Sequence, residues 1–108
     1  MRRGQCSHYT MKLTKFKVWI EENCEKIKNM GYKLETIFYS PLDNSIRSIR
    51  LDLDSEKSIA RIHMWDSGDC HLMIIDVVSE DIIINQHLEI DDKCNLNIKF
   101  HDFLNNLT

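Results

Sequence analysis

The stretch Ala60–Asp76, ARIHMWDSGDCHLMIID, constrains the fold of this chain more than any other. Residues that suit strands run up to Asp66-Ser67-Gly68 and resume directly after it. Asp and Ser tolerate the first positions of a short hairpin loop, and Gly supplies a positive φ at the last. A loop of those three residues sets Trp65 opposite Asp69, then Met64 opposite Cys70, Ile62 opposite Leu72 and Ala60 opposite Ile74. Side chains alternate along a strand, so Ala60, Ile62, Met64, Leu72 and Ile74 share one face. The other face carries Arg61, His63, Trp65, Asp69, His71 and Met73. The first set is a core. The second places an indole, a thioether, two imidazoles and charges of both signs where water is expected.

The remaining elements are arranged around that hairpin. From Thr14 to Met30 the apolar residues Phe16, Trp19, Ile20, Cys24, Ile27 and Met30 recur three and four apart, which predicts an amphipathic helix with Trp19 in the core. Gly31 suits the position after its end, and Lys26 and Lys28 suit the negative end of the helix dipole. Tyr32–Ser40 is rich in β-branched and aromatic residues and ends at the turn Pro41-Leu42-Asp43-Asn44. Ile46–Leu53 alternates, with Ile49, Leu51 and Leu53 inward and Ser48, Arg50 and Asp52 outward. A loop over Asp54–Lys57 leads back into the hairpin. Pairing Leu51 with Ala60 keeps both faces consistent and sets Arg50 beside Arg61. Two like charges side by side are destabilising unless an acid lies between them or arrives with a partner, a mild pointer to an acidic partner.

After the hairpin, Ser79-Glu80-Asp81 turns into a fifth strand over Ile82–Ile90. Its apolar start fits either a central or a half-covered position. Asp91 or Asp92 then caps a last helix with Leu96, Phe100, Phe103, Leu104 and Leu107 on one stripe. The order is helix, strands, helix, with short connections between the strands. The expected fold is α+β: an antiparallel meander of four to five strands with an N-terminal and a C-terminal helix packed on one face. Residues 1–12 read as a frayed leader and 13–108 as a single domain.

Composition removes several classes of function. A net charge of −3 and a pI near 5.9 lack the basic surplus of a nucleic-acid binder. No apolar run approaches the ~20 residues that span a bilayer. No apolar segment follows Arg2 and Arg3, so there is no secretory signal. Cys6, Cys24, Cys70 and Cys94 stand singly and read as free thiols in a reducing cytoplasm.

Catalytic chemistry finds little support. Cys70 and His71 are adjacent and point to opposite faces of a strand, so they cannot share one ion. His63 and His71 meet across the hairpin with Asp69 nearby, a set that a small metal-dependent hydrolase could use. Hairpin neighbours meet by construction, however. Ser67 has no nucleophile-elbow context, and three glycines form no phosphate loop. Neither a metal nor a cofactor is expected, and the chain is not read as an enzyme.

A protein-binding surface accounts better for the outer face. Trp65 and Met73, with Ile75 and Ile59, form an apolar patch rimmed by Arg50, Arg61, Asp52, Asp66 and Asp69, with His63 and His71 beside it. Trp and Arg are over-represented among interface hot spots, and Met adapts to irregular partners. The plain alternative is that a helix covers this face and Trp65 is ordinary core. A generic interaction or homodimer module is a further reading.

The run MWDSGDCHLMIID resembles the W-[ED]-S-G-x-C-x-L-x-x-x-D signature of TriTu-type immunity proteins, carried here by Trp65, Asp66, Ser67, Gly68, Cys70, Leu72 and Asp76. The opening helix contributes F-x-x-W-I-x-E-N through Phe16, Trp19, Ile20, Glu22 and Asn23. The likeness runs from about Leu13 to Leu107; His71 departs from it, standing where an acidic residue is expected. The resemblance implies a cytoplasmic protein, monomeric in its complex, that binds a cognate toxin and needs no cofactor. Such toxins are typically C-terminal domains of Rhs effectors delivered by type VI secretion. For the named member the implied toxin is an ADP-ribosyltransferase that modifies elongation factor Tu. Neutralising a lethal enzyme demands near-complete occupancy and hence slow dissociation.

Overall fold

The computed structural model describes residues 11–39 and 47–107. The turn expected at Pro41–Asn44 and the first ten residues lie outside them; residues 11 and 12 of the expected leader are already helical. Helix α1 (Met11–Asn29) is followed by strands β1 (Lys33–Tyr39), β2 (Ser48–Asp54), β3 (Ser58–Trp65), β4 (Asp69–Asp76) and β5 (Ile82–Glu89), then by short helices α2 (Leu96–Lys99) and α3 (His101–Asn105). All neighbouring strands are antiparallel, and the sheet order follows the chain order. The α+β meander is as the residue pattern predicts.

α1 buries Leu13, Phe16, Trp19, Ile20 and Ile27, with Trp19 only 2% exposed. Cys24 and Met30 of the expected stripe are half-buried. The helix stops because Gly31 adopts φ +100°. There its amide bonds to the Lys28 carbonyl at 2.9 Å and that of Tyr32 to the Ile27 carbonyl at 3.4 Å. This double closure satisfies carbonyls that would otherwise be orphaned at the helix end, and it seats buried Tyr32 against buried Ile27. The Tyr32 hydroxyl donates to the Leu107 carbonyl and accepts from Ser58, tying the last helix to the sheet.

Ile49, Leu51, Leu53, Ala60, Ile62, Met64, Cys70, Leu72 and Ile74 line the helix-facing side and are buried. Phe100 sits edge-on against Phe16 and Trp19, at centroid distances of 6.0 and 4.9 Å. Each fully buried aliphatic or Phe side chain contributes roughly 1.5–3 kcal/mol, so this single layer dominates the stability.

The last helix departs from expectation. It is two short helices meeting at Phe100, whose φ −101° and ψ 9° leave the helical region. Its cap is Asn95, whose side chain accepts from the Asn97 amide at 2.9 Å, rather than Asp91 or Asp92. Asp91 instead accepts from the Lys93 amide at 2.8 Å, a local turn that delays the helix. The stripe Leu96, Phe100, Phe103, Leu104 and Leu107 is nevertheless buried throughout.

The β2–β3 register also differs. Leu51 faces Ile62, and Ala60 faces Leu53. Ser55 explains the two-residue difference: its hydroxyl accepts from the amides of Lys57 and Ser58, both at 3.1 Å. Its own amide donates to the Ser58 carbonyl at 3.0 Å. The side chain thus closes a turn over Ser55–Ser58, making Asp54–Ile59 the first pair beyond it.

Candidate functional site

The helix-free face is built from the hairpin outward. Met64–Cys70, Ile62–Leu72 and Ala60–Ile74 pair as the three-residue loop requires. Gly68 takes φ +100° and its amide bonds back to the Trp65 carbonyl at 2.9 Å. The tip is held from both sides: the Asp66 amide donates to the Arg47 carbonyl, and the Ile90 amide to the Gly68 carbonyl, each at 2.8 Å. The hairpin end is therefore a fixed platform.

On that platform Trp65 is half-buried, and the alternation of β3 sets it on the side opposite buried Met64. Its indole stacks on the His63 ring at 3.7 Å between centroids and 22° between planes. His63 in turn lies 5.7 Å from the Tyr39 ring, and Arg50 stands 5.8 Å above Tyr39, within cation–π range. The stack runs diagonally from β1 to β3. Burial holds the His63 imidazole below its usual pKa, and Arg50 and Arg61 push in the same direction against the opposing pull of Asp52. The neutral ring bonds through Nε2 with the Ser48 hydroxyl at 3.0 Å.

Arg50 and Arg61 do not wait for an acidic partner. Asp52 lies between them, accepting from Arg50 Nε at 3.1 Å and from Arg61 Nε at 2.8 Å. The pointer to an acidic partner drawn from these arginines is thus withdrawn: the acid is within the chain.

His71 stands directly across from both His63 and His87, so three imidazoles cross β3, β4 and β5 in one row. His71 Nε2 reaches Asn85 Oδ1 at 2.7 Å, and His87 Nε2 lies 3.5 Å from Asp69. The donors of His63, His71 and Asp69 thus turn to three different partners. Among the described residues no group of three His, Cys, Asp or Glu is placed to hold a metal ion. Asp69 also accepts from the Ser67 hydroxyl at 2.9 Å. Asp66, at the tip, has a buried Oδ1 without a hydrogen-bond partner among the described residues.

Two shallow recesses open here. One is lined by Trp65, Ser67, Asp69, His71 and His87, the other by Ile59, Ala60, Arg61, Met73 and Ile75. Ile59 is 50% exposed beside half-buried Ile75 and Met73. The face thus brings together Arg50, Asp52, Arg61, His63, Trp65, His71 and Met73, with Asp66 and Asp69 at its end. It adds three residues that sequence reasoning did not include, Tyr39, Asn85 and His87, and gives Ser48, which alternation had only placed outward, a partner in His63. Cys70 lies on the opposite side, where burial pushes its thiol up to about 12. Cys24, Cys70 and Cys94 are free thiols.

No helix among the described residues is long and apolar enough to cross a membrane. No curated protein matches the chain. The family model for the immunity protein TriTu matches residues 14–106, from the first helix to the last, with the Trp65–Asp76 motif at its centre. The chain belongs to the TriTu family of immunity proteins.

Proposed function

We propose that this immunity protein binds its cognate toxin through the helix-free sheet face and the hairpin tip, and neutralises it by obstruction without chemistry of its own. The observation that carries the reading is a half-buried indole, stacked on His63 and ringed by mixed charges, on a face that no helix among the described residues covers. Five strands of seven or eight residues span roughly 24 by 25 Å, or about 600 Å² before side-chain relief. That approaches the ~800 Å² that each partner buries in a standard interface. Arg50 and Arg61 are held in place by Asp52, and Trp65 by His63, so little conformational freedom is left to lose on binding. Trp65, Arg61, His63, Asp66, Asp69, His71, Met73, Arg50 and Asp52 form the binding set.

The family resemblance supports a finer assignment. The toxin is an ADP-ribosyltransferase acting on elongation factor Tu, carried at the C-terminus of an Rhs effector delivered by type VI secretion. The immunity protein meets it in the cytoplasm as a monomer and covers its NAD or target site. The test is to express the toxin domain encoded immediately upstream, with and without this chain, and to follow transfer of labelled ADP-ribose in lysate. Restored growth, a stoichiometric complex and loss of label from elongation factor Tu are expected. Label on a different protein would refute the toxin class, and absence of a complex would refute the reading itself.

A further inference from the structure

Among the described residues, one edge of the sheet is only lightly protected against pairing. β5 holds neither Pro, Lys nor Arg, and its one acid, Glu89, is its last residue, whereas β1 at the other edge carries Lys33 and Glu35. Charges, prolines and bulges are the common means of blunting an edge. The one irregularity in β5 pairing lies opposite Ile74 and Ile75, so Ile84–Glu89 remains regular. β5 also overhangs the helical layer. Only Ile84 and Leu88 of its eight residues pack partly against the core. Ile82 and Ile83 are 60% and 42% exposed. The preceding turn presents Val78 at 86% exposure, and does so rigidly: Asp76 accepts from the amides of Val78 and Ser79 at 2.9 and 3.0 Å.

The direction of the free amides follows from one bond. The Ile90 amide donates to Gly68 of the hairpin. Amides alternate along a strand, so those of Ile84, Gln86 and Leu88 also face β4, and those of Asn85, His87 and Glu89 face the open edge. The side chains of these last three lie on the helix-free face, with Met73, His71 and Asp69. A strand added here would extend that face without a break.

We propose that β5 is a strand-addition site, and that its occupant is an extended segment of the cognate toxin with an apolar centre and basic ends; this rests on the immunity reading above. Charge selects the occupant. Acids stand at both ends of β5: Glu80 and Asp81 precede it, Glu89 is its last residue and Asp91 follows, while Asp92 is already paired with Lys12. A second copy would set acid near acid at both ends in either orientation, which is destabilising. A segment with Lys or Arg flanking apolar residues meets those acids and covers Ile82, Ile83 and Val78. Main-chain bonds then supply affinity, and the flanking side chains supply choice of partner.

The test uses the toxin domain encoded immediately upstream, bound to the full chain. Asn85→Pro and His87→Pro each remove an outward amide while leaving the bonds to β4, a substitution that edge strands tolerate. Both proline variants should melt within a few degrees of the parent and release the toxin at least about tenfold faster than Asn85→Ala and His87→Ala, which lose the same side chains but keep the amides. In the unsubstituted complex, hydrogen exchange at the amides of 85, 87 and 89 should slow. That readout needs no variant and stands even if a proline variant fails to fold. Unchanged release with no added protection overturns strand addition, while the complex itself keeps the immunity reading intact. A free chain that sediments as a dimer, becomes monomeric on Asn85→Pro and still binds toxin normally makes a second copy the occupant and overturns the proposal. Absence of any complex removes both readings together.

Discussion

Replacing Gly68 with Ala tests how the hairpin tip is fixed. A Cβ built at Gly68 would lie 2.4 Å from the Ile90 carbonyl oxygen, against Lys12 carbons at 3.2 and 3.3 Å. The lysine can swing aside. The carbonyl cannot easily do so, because the Ile90 amide is bonded to the Gly68 carbonyl at 2.8 Å, so the same two residues are pulled together and pushed apart. Gly31 supplies the control: it has the same φ of +100°, and a Cβ there meets nothing within 4 Å. Placing an L side chain at positive φ costs about 1–2 kcal/mol. At Gly31 that is the whole effect. At Gly68 the broken or stretched bond adds about 1–2 kcal/mol, for a total of about 2–4 kcal/mol. Urea unfolding followed by tryptophan fluorescence measures both variants, with the slope checked for constancy. A Gly68→Ala loss no larger than that of Gly31→Ala would refute the reasoning.

Other outcomes follow from the same geometry. Asp52→Asn removes the carboxylate that both Arg50 and Arg61 bond and should cost about 1 kcal/mol, more in low salt than in high salt; unchanged urea midpoints at low salt would contradict the bridging role. Because the folded chain holds His63 below its ordinary value of 6.5, the unfolded chain binds that proton more readily, and stability falls as pH drops from above 6.5 through the lowered pKa. His63→Gln should flatten that part of the melting-temperature profile, and an identical slope in the variant would exclude the assignment. With its thiol pushed up to about 12 and fully buried, Cys70 should resist iodoacetamide at pH 8 while Cys24 and Cys94 are modified; native-state labelling that finds Cys70 as fast as the others would contradict the packing.

Much of the site was legible because two signals agreed. The Asp-Ser-Gly loop fixed the register of the hairpin, and period-two alternation then assigned Trp65, His63 and Arg61 to one face and Met64 and Ile62 to the other. The β2–β3 register escaped because alternation is blind to a shift of two residues. Parity survived such a shift, but the neighbours of Arg50 did not. The feature that decides it, a Ser55 side chain closing the turn, has no apolar pattern. His87 was missed for a related reason. The turn between β4 and β5 is long, and the register slips beside Ile75, so its place opposite His71 cannot be counted from the chain. Tyr39 joined the face only through pairing across strands, and Ser48, placed outward by alternation, met His63 the same way. The break at Phe100 left no trace in a stripe that continues on both sides of it.

Dissociation of the purified complex with the upstream-encoded toxin domain compares the two sides of the molecule most directly. Trp65 stands on the bare sheet face, and Ile98, 73% exposed, on the short helix α2. Binding through the sheet face predicts that Trp65→Ala melts as the parent does and loses more than ~2 kcal/mol, or roughly thirtyfold in release rate, while Ile98→Ala changes release by less than about twofold. The opposite ranking, or a Trp65→Ala chain that no longer folds, would contradict it.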